Sequence, residues 1–265
     1  IYITDNADVT ISGFTVDGLG KGAISGLDGI DFFNASGTVD NVRITRMRHG
    51  GLEGTLNGIQ QGLGMVVFNA DGAARSVTLQ NSQIDDFQKN ATAFYGNNLT
   101  VNALDNTLIG AGATSLIAQN GFQLSEGASG LISGNTISGI SYFSETDVVA
   151  TSILVFSSEN LVVNDNTISA PPGAGSVLLY AIFTDSLEMT GNTLDTNGKG
   201  VILYASDDTL IDSNDILNST FAGITVRGGS EGTQISNNTI SGNYSGVYID
   251  DGVGTEVFAN HFSAN

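Results

Sequence analysis

A short phrase built around asparagine recurs along the chain, and it restricts the fold more than any other feature of the sequence. "ISGNTISG" occupies residues 132–139, and "ISNNTISG" occupies residues 235–242. The pattern apolar-x-apolar-x-x-Asn-x-apolar selects one asparagine in each of the later repeats: Asn106, Asn135, Asn166, Asn192, Asn214, Asn238 and Asn260. The last four intervals are 26, 22, 24 and 22 residues. A repeat of this length indicates a solenoid.

Each repeat contains three short segments in which apolar and polar residues alternate. Examples are "GVYID" at 246–250, "TQISN" at 233–237 and the "NTIS" segment itself. Alternation with period two is typical of β-strands. Three strands in about 23 residues, without a helix-length apolar pattern, predict an all-β, right-handed parallel β-helix of about ten coils. A sandwich or barrel of hairpins would need two-residue turns and would not repeat a three-strand unit.

The repeated asparagines are expected at a corner of the coil. There an inward amide can hydrogen-bond the same amide one coil above and below, at the roughly 4.8 Å spacing of neighbouring strands. Such a ladder satisfies buried polar groups that each cost on the order of 1–3 kcal/mol when unpaired. In the first three repeats the same position is assigned to Phe14, Met47 and Ser82. The asparagines are therefore predicted to stabilise the fold rather than to take part in chemistry.

Charge and composition exclude several classes of partner. The chain has 27 acidic and 8 basic residues and a formal net charge of -19, which argues against nucleic acid because phosphate contacts need clustered cations. No apolar stretch reaches the roughly 18 residues that a membrane span requires. With no cysteine and two histidines, no transition-metal site and no required cofactor are predicted. Acidic turns at 145–147, 207–208 and 250–251 leave a Ca²⁺ site open.

Several repeats resemble those of a known group of proteins. "VVNDNTISA", "MTGNTLD" and "ISNNTISGNYSGVYIDD" are similar to the β-helix repeats of the pectin-lyase-like superfamily, which includes NosD-type proteins and polysaccharide-acting enzymes. The resemblance covers essentially the whole chain and implies a secreted or cell-surface bacterial protein. Members usually carry a cap before the first coil, whereas strand character here begins by Ile3. Residues 1–265 are therefore expected to be a single β-helix domain from a longer protein.

The resemblance implies that a polymer would lie along the outer face of the first sheet. The outward positions predicted there are rich in aromatic residues, whose rings can stack on sugars: Phe33, Phe68, Tyr95, Phe156, Tyr204 and Tyr248. One coil is assigned the outward pair Ile182 and Thr184. The predicted substrate-binding residues are Tyr95, Gln123, Phe156 and Tyr204. The alternative is that a neighbouring domain or subunit covers this aromatic face.

Three candidate catalytic residues lie on adjacent coils near the end of the chain. Arg227 beside Tyr248 can bind a uronate carboxylate and favour ionisation of the phenol, as a lyase or epimerase requires. Asp250 would stand next to them. The alternative is a surface ion pair between Arg227 and Asp250.

Two further candidates come from the first half of the chain. Lys89 lies in register below Gln119, and the resemblance implies a proton-abstracting lysine in some lyases of this fold; alternatively, Lys89 caps backbone carbonyls at the corner. His49, within "RMRHGGLEG" at 46–54, has the pKa range of an acid or base catalyst, or is a buried corner residue.

The sequence leaves two functional hypotheses. The first is an extracellular module that contacts polysaccharide along its first sheet, with lyase-like or hydrolase-like activity left open. The second is a non-catalytic structural or adhesive segment whose aromatic face packs on another domain or subunit. The chain lacks the epimerase motif "DPH" and the polygalacturonase motif "GHG", which lowers the weight of those two activities.

Overall fold

The computed structural model describes residues 1–20, 27–48, 55–143, 148–171, 175–196 and 198–265. These residues form 30 β-strands that stack as a parallel β-helix, because the chain visits three sheets in turn in every coil. Each sheet is 10-stranded, so the solenoid has ten coils and the predicted fold class is confirmed. None of the described segments forms a helix with the length and apolarity needed to cross a bilayer.

The first sheet carries the candidate site. Its strands pair in parallel and largely in register, so one strand position recurs directly above another from coil to coil. In stacking order the strands are β1 (Tyr2–Thr4), β4 (Asp28–Phe33), β7 (Leu63–Phe68), β10 (Asn90–Tyr95), β13 (Asn120–Ser125), β16 (Ala150–Phe156), β19 (Ser176–Ile182), β22 (Lys199–Tyr204), β25 (Ala222–Arg227) and β28 (Ser245–Asp250).

The second and third sheets complete each coil. The second sheet contains β2 (Asp8–Ser12), β5 (Ser36–Asp40), β8 (Arg75–Gln80), β11 (Leu99–Leu104), β14 (Ser129–Ser133), β17 (Leu161–Asn164), β20 (Glu188–Thr190), β23 (Leu210–Asp212), β26 (Gln234–Ser236) and β29 (Glu256–Phe258). The third contains β3 (Thr15–Asp17), β6 (Arg43–Thr45), β9 (Gln83–Asp85), β12 (Thr107–Thr114), β15 (Thr136–Tyr142), β18 (Thr167–Ala170), β21 (Thr193–Thr196), β24 (Asp215–Leu217), β27 (Thr239–Ser241) and β30 (His261–Ser263).

Inward aliphatic side chains fill the interior of the solenoid. In the third sheet, Ile137, Ile168 and Leu194 are register partners, and all three are buried. The buried hydrophobic residues form one cluster that extends from Ile3 to Ile240. Since burial of one such side chain contributes about 1.5–3 kcal/mol, stacking of this kind supports the fold without disulfides.

The predicted asparagine ladder is present at the corner between the second and third sheets. Asn166 Nδ2 donates to Asn192 Oδ1 over 2.9 Å, and Asn192 Nδ2 donates to Asn214 Oδ1 over 2.8 Å. The backbone N–H of Asn192 also donates to Asn214 Oδ1, over 2.9 Å. The same contacts recur up to Asn260, whose Oδ1 accepts from Asn238. The repeated phrase is therefore a structural element.

The start of this ladder corrects one assignment. Ser82 occupies the predicted position, because its N–H donates to Asn106 Oδ1 over 3.0 Å. Its Oγ accepts from the N–H of Val42 over 3.1 Å, so the residue one coil earlier is Val42 and the assignment of Met47 is wrong. Met47 is buried in the core beyond β6. The connection from β6 to β7 is long, and sequence intervals across it do not reveal the register.

Candidate functional site

The outer face of the first sheet carries a file of mostly aromatic side chains. Phe33, Phe68 and Tyr95 are register partners on β4, β7 and β10. The file, which we call the aromatic file, continues through Ser125, Phe156, Ile182, Tyr204, Arg227 and Asp250. The predicted outward positions of Phe33, Phe68, Tyr95, Phe156, Ile182 and Tyr204 are confirmed by this register, although β19 carries an error in its second outward residue.

The error concerns the predicted pair Ile182 and Thr184. Ile182 is outward, but its companion is Tyr180, because Tyr180 pairs with Ile202 and Ile182 pairs with Tyr204. Thr184 is fully buried at the corner, where its N–H donates to Ser206 Oγ over 3.1 Å. The segment "SVLLYAI" is apolar on both faces, so its alternation does not reveal which residues point outward.

The first part of the aromatic file borders an open cleft with a volume of about 440 Å³. We call it the N-terminal cleft, and its lining residues are Tyr2, Asp31, Phe33, Val66, Phe68, Tyr95 and Glu126. The ring centroids of Phe33 and Phe68 are 5.9 Å apart, and those of Phe68 and Tyr95 are 6.4 Å apart. The side chain of Phe68 is 38% exposed. The three rings therefore form a continuous apolar wall that solvent can reach.

Two aspartates of β4 accompany this wall. Burial raises the pKa of Asp28, and burial together with the charge of Asp28 raises the pKa of Asp31. Asp28 Oδ1 is buried and has no hydrogen-bond partner within the described part of the chain. Of the two, Asp31 lines the cleft, and a carboxyl group perturbed in this way at such a site is a candidate for proton transfer or ligand binding. Neither aspartate is among the predicted site residues, and the one sequence signal is the pair of acids in the strand "DGIDFF".

Tyr95 joins the aromatic wall to the acidic side of the cleft. Burial raises the pKa of its hydroxyl, and the charges of Glu126 and Asp28 raise it further. Tyr95 therefore stays protonated near neutral pH, and its hydroxyl can both donate and accept a hydrogen bond. The role of Tyr95 in substrate binding stays a prediction. Glu126, which also lines the cleft, is not among the predicted site residues.

Lys89 lies at the corner that precedes β10. Its Nζ donates to the carbonyl oxygen of Ala118 over 2.5 Å, and burial lowers its pKa. This is the capping contact that the sequence left open, and a catalytic role for Lys89 stays a prediction.

Gln123 belongs to a network of amides on the outer face between the two halves of the aromatic file. Its Oε1 accepts from Asn90 Nδ2 over 2.7 Å, and its Nε2 donates to Ser125 Oγ over 3.2 Å. Thr151 Oγ1 donates to Asn120 Oδ1 over 2.6 Å at the next position. Because Ser125 interrupts the aromatic side chains, the file divides into two clusters.

The second cluster lies further along the same sheet. The ring centroids of Phe156 and Phe183 are 6.0 Å apart, and those of Phe183 and Tyr204 are 5.9 Å apart. Phe183 is 52% exposed and lies at the corner after β19 with a φ of 52°. We call Phe156, Tyr180, Phe183, Tyr204 and Arg227 the C-terminal patch. Phe183 and Tyr180 were not predicted as site residues, since neither belongs to a clear alternating pattern.

Arg227 is held by tyrosines in this patch. Its Nη2 donates to the Tyr180 hydroxyl over 3.1 Å, and its guanidinium carbon lies 5.6 Å from the centroid of the Tyr204 ring. Tyr248 lies on the next strand of the sheet, in register with Thr225, and its ring packs on Phe221 at 5.8 Å, so a catalytic role for Arg227, Tyr248 and Asp250 stays a prediction. Arg227 makes no salt bridge to Asp250 or to any other acidic residue in the described ranges.

The other described arginines are neutralised by aspartates. Arg43 pairs with Asp85 at 2.9 Å, and Arg46, Arg48 and Arg75 form close pairs with Asp17, Asp86 and Asp71. The Arg75 guanidinium lowers the pKa of Asp71 to about 2. The basic segment around residue 46 is thus a set of structural ion pairs. His49 lies outside the described residues.

With its geometry established, the chain can be placed among proteins that share coiled parallel sheets. Residues 1–181 match the family described as "Right handed beta helix region". Because this match covers more than half of the chain, the protein belongs to the right-handed β-helix family. Residues 179–265 match the family described as "Periplasmic copper-binding protein (NosD)". The predicted resemblance is confirmed by these two matches.

Solved structures with similar coordinates cover most of this chain at low identity. A double mutant of the periplasmic alginate epimerase AlgG has a TM-score of 0.66 and 12% identity, over 98% of this chain and 70% of that chain. The Dettilon tailspike protein has a TM-score of 0.60 and 13% identity, over 98% and 54%. The GH136 lacto-N-biosidase from Eubacterium ramulus has a TM-score of 0.59 and 12% identity, over 90% and 51%. These likenesses show the fold, and no curated protein sequence matches the chain.

The described residues do not fit the copper named in the NosD description. No group of three or more histidine, cysteine or acidic side chains in these ranges could hold a metal ion. The methionines Met47, Met65 and Met189 are all buried in the core. For calcium, the turns at 207–208 and 250–251 are described but belong to no such group, and 145–147 lies outside the described residues, so a Ca²⁺ site stays a prediction.

Proposed function

We propose that this protein binds a polysaccharide on the outer face of its first sheet, with an uncharged sugar unit in the N-terminal cleft. One observation carries the proposal: the rings of Phe33, Phe68 and Tyr95 form an open wall beside the carboxyl groups of Asp31 and Glu126. Aromatic rings suit the apolar faces of sugars, and a few placed polar groups give orientation to a ligand in such a cleft.

The charge of the cleft favours an uncharged unit over an acidic one. The pKa values of Asp28, Asp31 and Tyr95 are raised by burial and, for Asp31 and Tyr95, also by neighbouring negative charge. A further anion in the same place would increase this repulsion. A sugar hydroxyl, in contrast, can donate a hydrogen bond to either carboxylate.

Two similar solved structures and one family match support this proposal. Two of the similar solved structures are named as carbohydrate enzymes, an alginate epimerase and a lacto-N-biosidase. The NosD description is of a periplasmic protein. Both agree with a bacterial protein that works in a secreted or cell-surface location on polysaccharide.

Glycoside hydrolysis is a second candidate function, and the raised pKa values of Asp28 and Asp31 favour it. Glycosidases pair a protonated carboxyl group, which donates a proton to the leaving oxygen, with a second carboxylate. In the cleft, Asp31 is the group placed to act as the acid. Release of reducing ends from a bound neutral oligosaccharide, lost in Asp31→Asn, is the expected result.

Binding is tested with a panel of neutral, uronate and amino-sugar oligosaccharides, measured by calorimetry on the wild type and on Phe68→Ala. We expect the variant to lose about tenfold in affinity for the neutral ligand that binds best, which corresponds to about 1.4 kcal/mol. Phe14→Ala is the matched control, because Phe14 is 43% exposed but lies away from the cleft. Its affinity should stay within about twofold.

The competing structural or adhesive role gives different results in the same samples. If a second subunit covers the aromatic file, Phe68→Ala should weaken self-association in light scattering while no oligosaccharide binds. Equal losses in Phe68→Ala and Phe14→Ala would also contradict a binding site in the cleft.

A further inference from the structure

We propose that the bound polysaccharide leaves the N-terminal cleft sideways, over the corner between the first and second sheets, rather than along the axis of the solenoid. The inference rests on the proposed function, because it gives the path of the same ligand. It assigns binding residues outside the first sheet, at Asn97 and Glu159.

Three open cavities adjoin one another along this path. The N-terminal cleft shares Phe68 and Glu126 with a second cavity of about 370 Å³. The second cavity shares Asn97 with a third of about 460 Å³, which reaches Ser129 at the start of β14 and Glu159. We call the second and third cavities together the corner groove. Because each cavity shares lining residues with the next, the groove leads from the aromatic wall to the start of β14 in the second sheet.

Glycines at this corner leave the groove free of side chains that would block it. Gly96 and Gly127 have φ values of 118° and 89°, in the region that side chains rarely adopt. A Cβ at Gly96 would lie 2.2 Å from the Asn69 carbonyl oxygen, and a Cβ at Gly127 would lie 2.0 Å from Asn97 Oδ1. At the corner after β19, the position that follows the aromatic file holds the exposed ring of Phe183 instead. The corner between the first and second sheets is thus open to a ligand in the first half of the first sheet and blocked by Phe183 in the second half.

Hydrogen bonds hold the corner groove in shape. Asn69 Nδ2 donates to the carbonyl oxygens of Ala73 and Asn97 over 2.8 and 2.7 Å. Asn98 Nδ2 donates to the Gly72 carbonyl oxygen over 2.8 Å. A groove that is already formed loses little conformational entropy when a ligand binds.

The chemistry of the groove suits an uncharged chain. Asn97, Glu126 and Glu159 are exposed, and their amide and carboxylate groups can bind sugar hydroxyls. Along the axis, in contrast, Gln123 and Asn90 already bind each other, and Ser125 offers no ring for stacking. The next ring in that direction is Phe156, beyond the amide network. The exposed polar groups at the corner are therefore available to a ligand, whereas the amides of Asn90 and Gln123 along the sheet are paired with each other.

The test uses the neutral series that binds in the panel described above, from two to six sugar units, with affinity measured for each length. In the wild type, affinity should rise with length. Asn97→Ala and Glu159→Ala should remove that gain, with about a fivefold loss at six units, and leave the disaccharide within about twofold. Phe156→Ala is the control for a path along the axis and should change neither value.

Two results would overturn the path. If Phe156→Ala removes the gain with length and both corner variants keep it, the ligand runs along the sheet and only the path is wrong. If no neutral oligosaccharide of any length binds, the proposed function fails together with the path. Asn97 and Glu159 are exposed, so thermal melts should show that their variants fold as the wild type does.

Discussion

The two halves of the aromatic file occupy equivalent positions on one sheet, yet they have opposite surroundings. In the first half, Phe33, Phe68 and Tyr95 face an open cleft in which the pKa of the Asp31 carboxyl group is raised. In the second half, Arg227 is held by Tyr180 and packs over Tyr204. The repeat supplies the same strand positions in both halves, and the outward side chains alone decide the chemistry of each.

Corner residues strengthen this difference. Gly96 follows the aromatic file in the first half, and no Cβ could be placed there without meeting Asn69. Phe183 follows it in the second half and packs between Phe156 and Tyr204. One half therefore has room for a ligand at its corner, whereas the other fills that room with its own ring.

We expect the greatest change from Asn192→Ala, which should lower the stability of the C-terminal half relative to the N-terminal half. Asn192→Ala removes the amide that donates to Val163 O and Asn214 Oδ1 and accepts from Asn166. Because buried partners are left unsatisfied, we expect a loss of about 3 kcal/mol in the free energy of unfolding, measured by urea denaturation. Since each coil contacts mainly its neighbours, the C-terminal half should unfold at a lower urea concentration than the N-terminal half, and affinity for neutral oligosaccharide should be retained between the two transitions.

Asn102→Ala is the control for this change, because Asn102 lies on the second sheet outside the ladder. Its stability should differ from the wild type by less than about 0.5 kcal/mol. A single transition in which binding and C-terminal structure are lost together in Asn192→Ala would show that the two halves are not separable.

The stacking of the coils could be predicted from the sequence because it depends on a short period. All seven asparagines of the ladder, from Asn106 to Asn260, were assigned to the correct position, and so was Ser82. The register was assigned wrongly in two irregular coils. The long connection after β6 led to Met47 being assigned the ladder position of Val42. In β19, which is apolar on both faces, Thr184 was assigned as an outward residue in place of Tyr180. A repeat thus predicts its own regular coils well and its irregular ones poorly.

The candidate site was predicted less completely, for a different reason. Tyr95 and Gln123 could be selected as outward residues of suitable type, and both lie at the cleft or beside it. Asp28 and Asp31 could not, because their raised pKa values come from burial among coils that are distant in sequence. The contact of Arg227 with Tyr180 could not be predicted either, because the guanidinium reaches back two coils to form it.

A smaller expected effect is the dependence of stability on pH that the Asp31 carboxyl group causes in the first half. Asp31 binds its proton more tightly in the folded protein than in the unfolded chain, so stability falls as pH rises from the ordinary pKa through the raised one. Asp31→Asn should remove this part of the pH dependence. Above that window it should raise the free energy of unfolding, by less than about 1 kcal/mol since solvent screens a partly buried carboxylate.

Urea denaturation at several pH values measures this effect. Asp8→Asn, on the second sheet, is the matched control and should follow the wild-type curve. If Asp31→Asn is instead less stable than the wild type at neutral pH, a partner stabilises the Asp31 carboxylate. The pKa of Asp31 is then not raised in the folded protein, which would contradict this explanation.

In the proposed binding mode, the first half of the aromatic file, and not the second, is the ligand surface. Amide chemical-shift mapping during titration with the best neutral oligosaccharide tests it most directly. We expect shifts in β4, β7 and β10 and at corner residues 96–98 and 126–129, with β19, β22 and β25 unchanged. Shifts centred on Tyr204 and Arg227, with the N-terminal cleft unchanged, would contradict it.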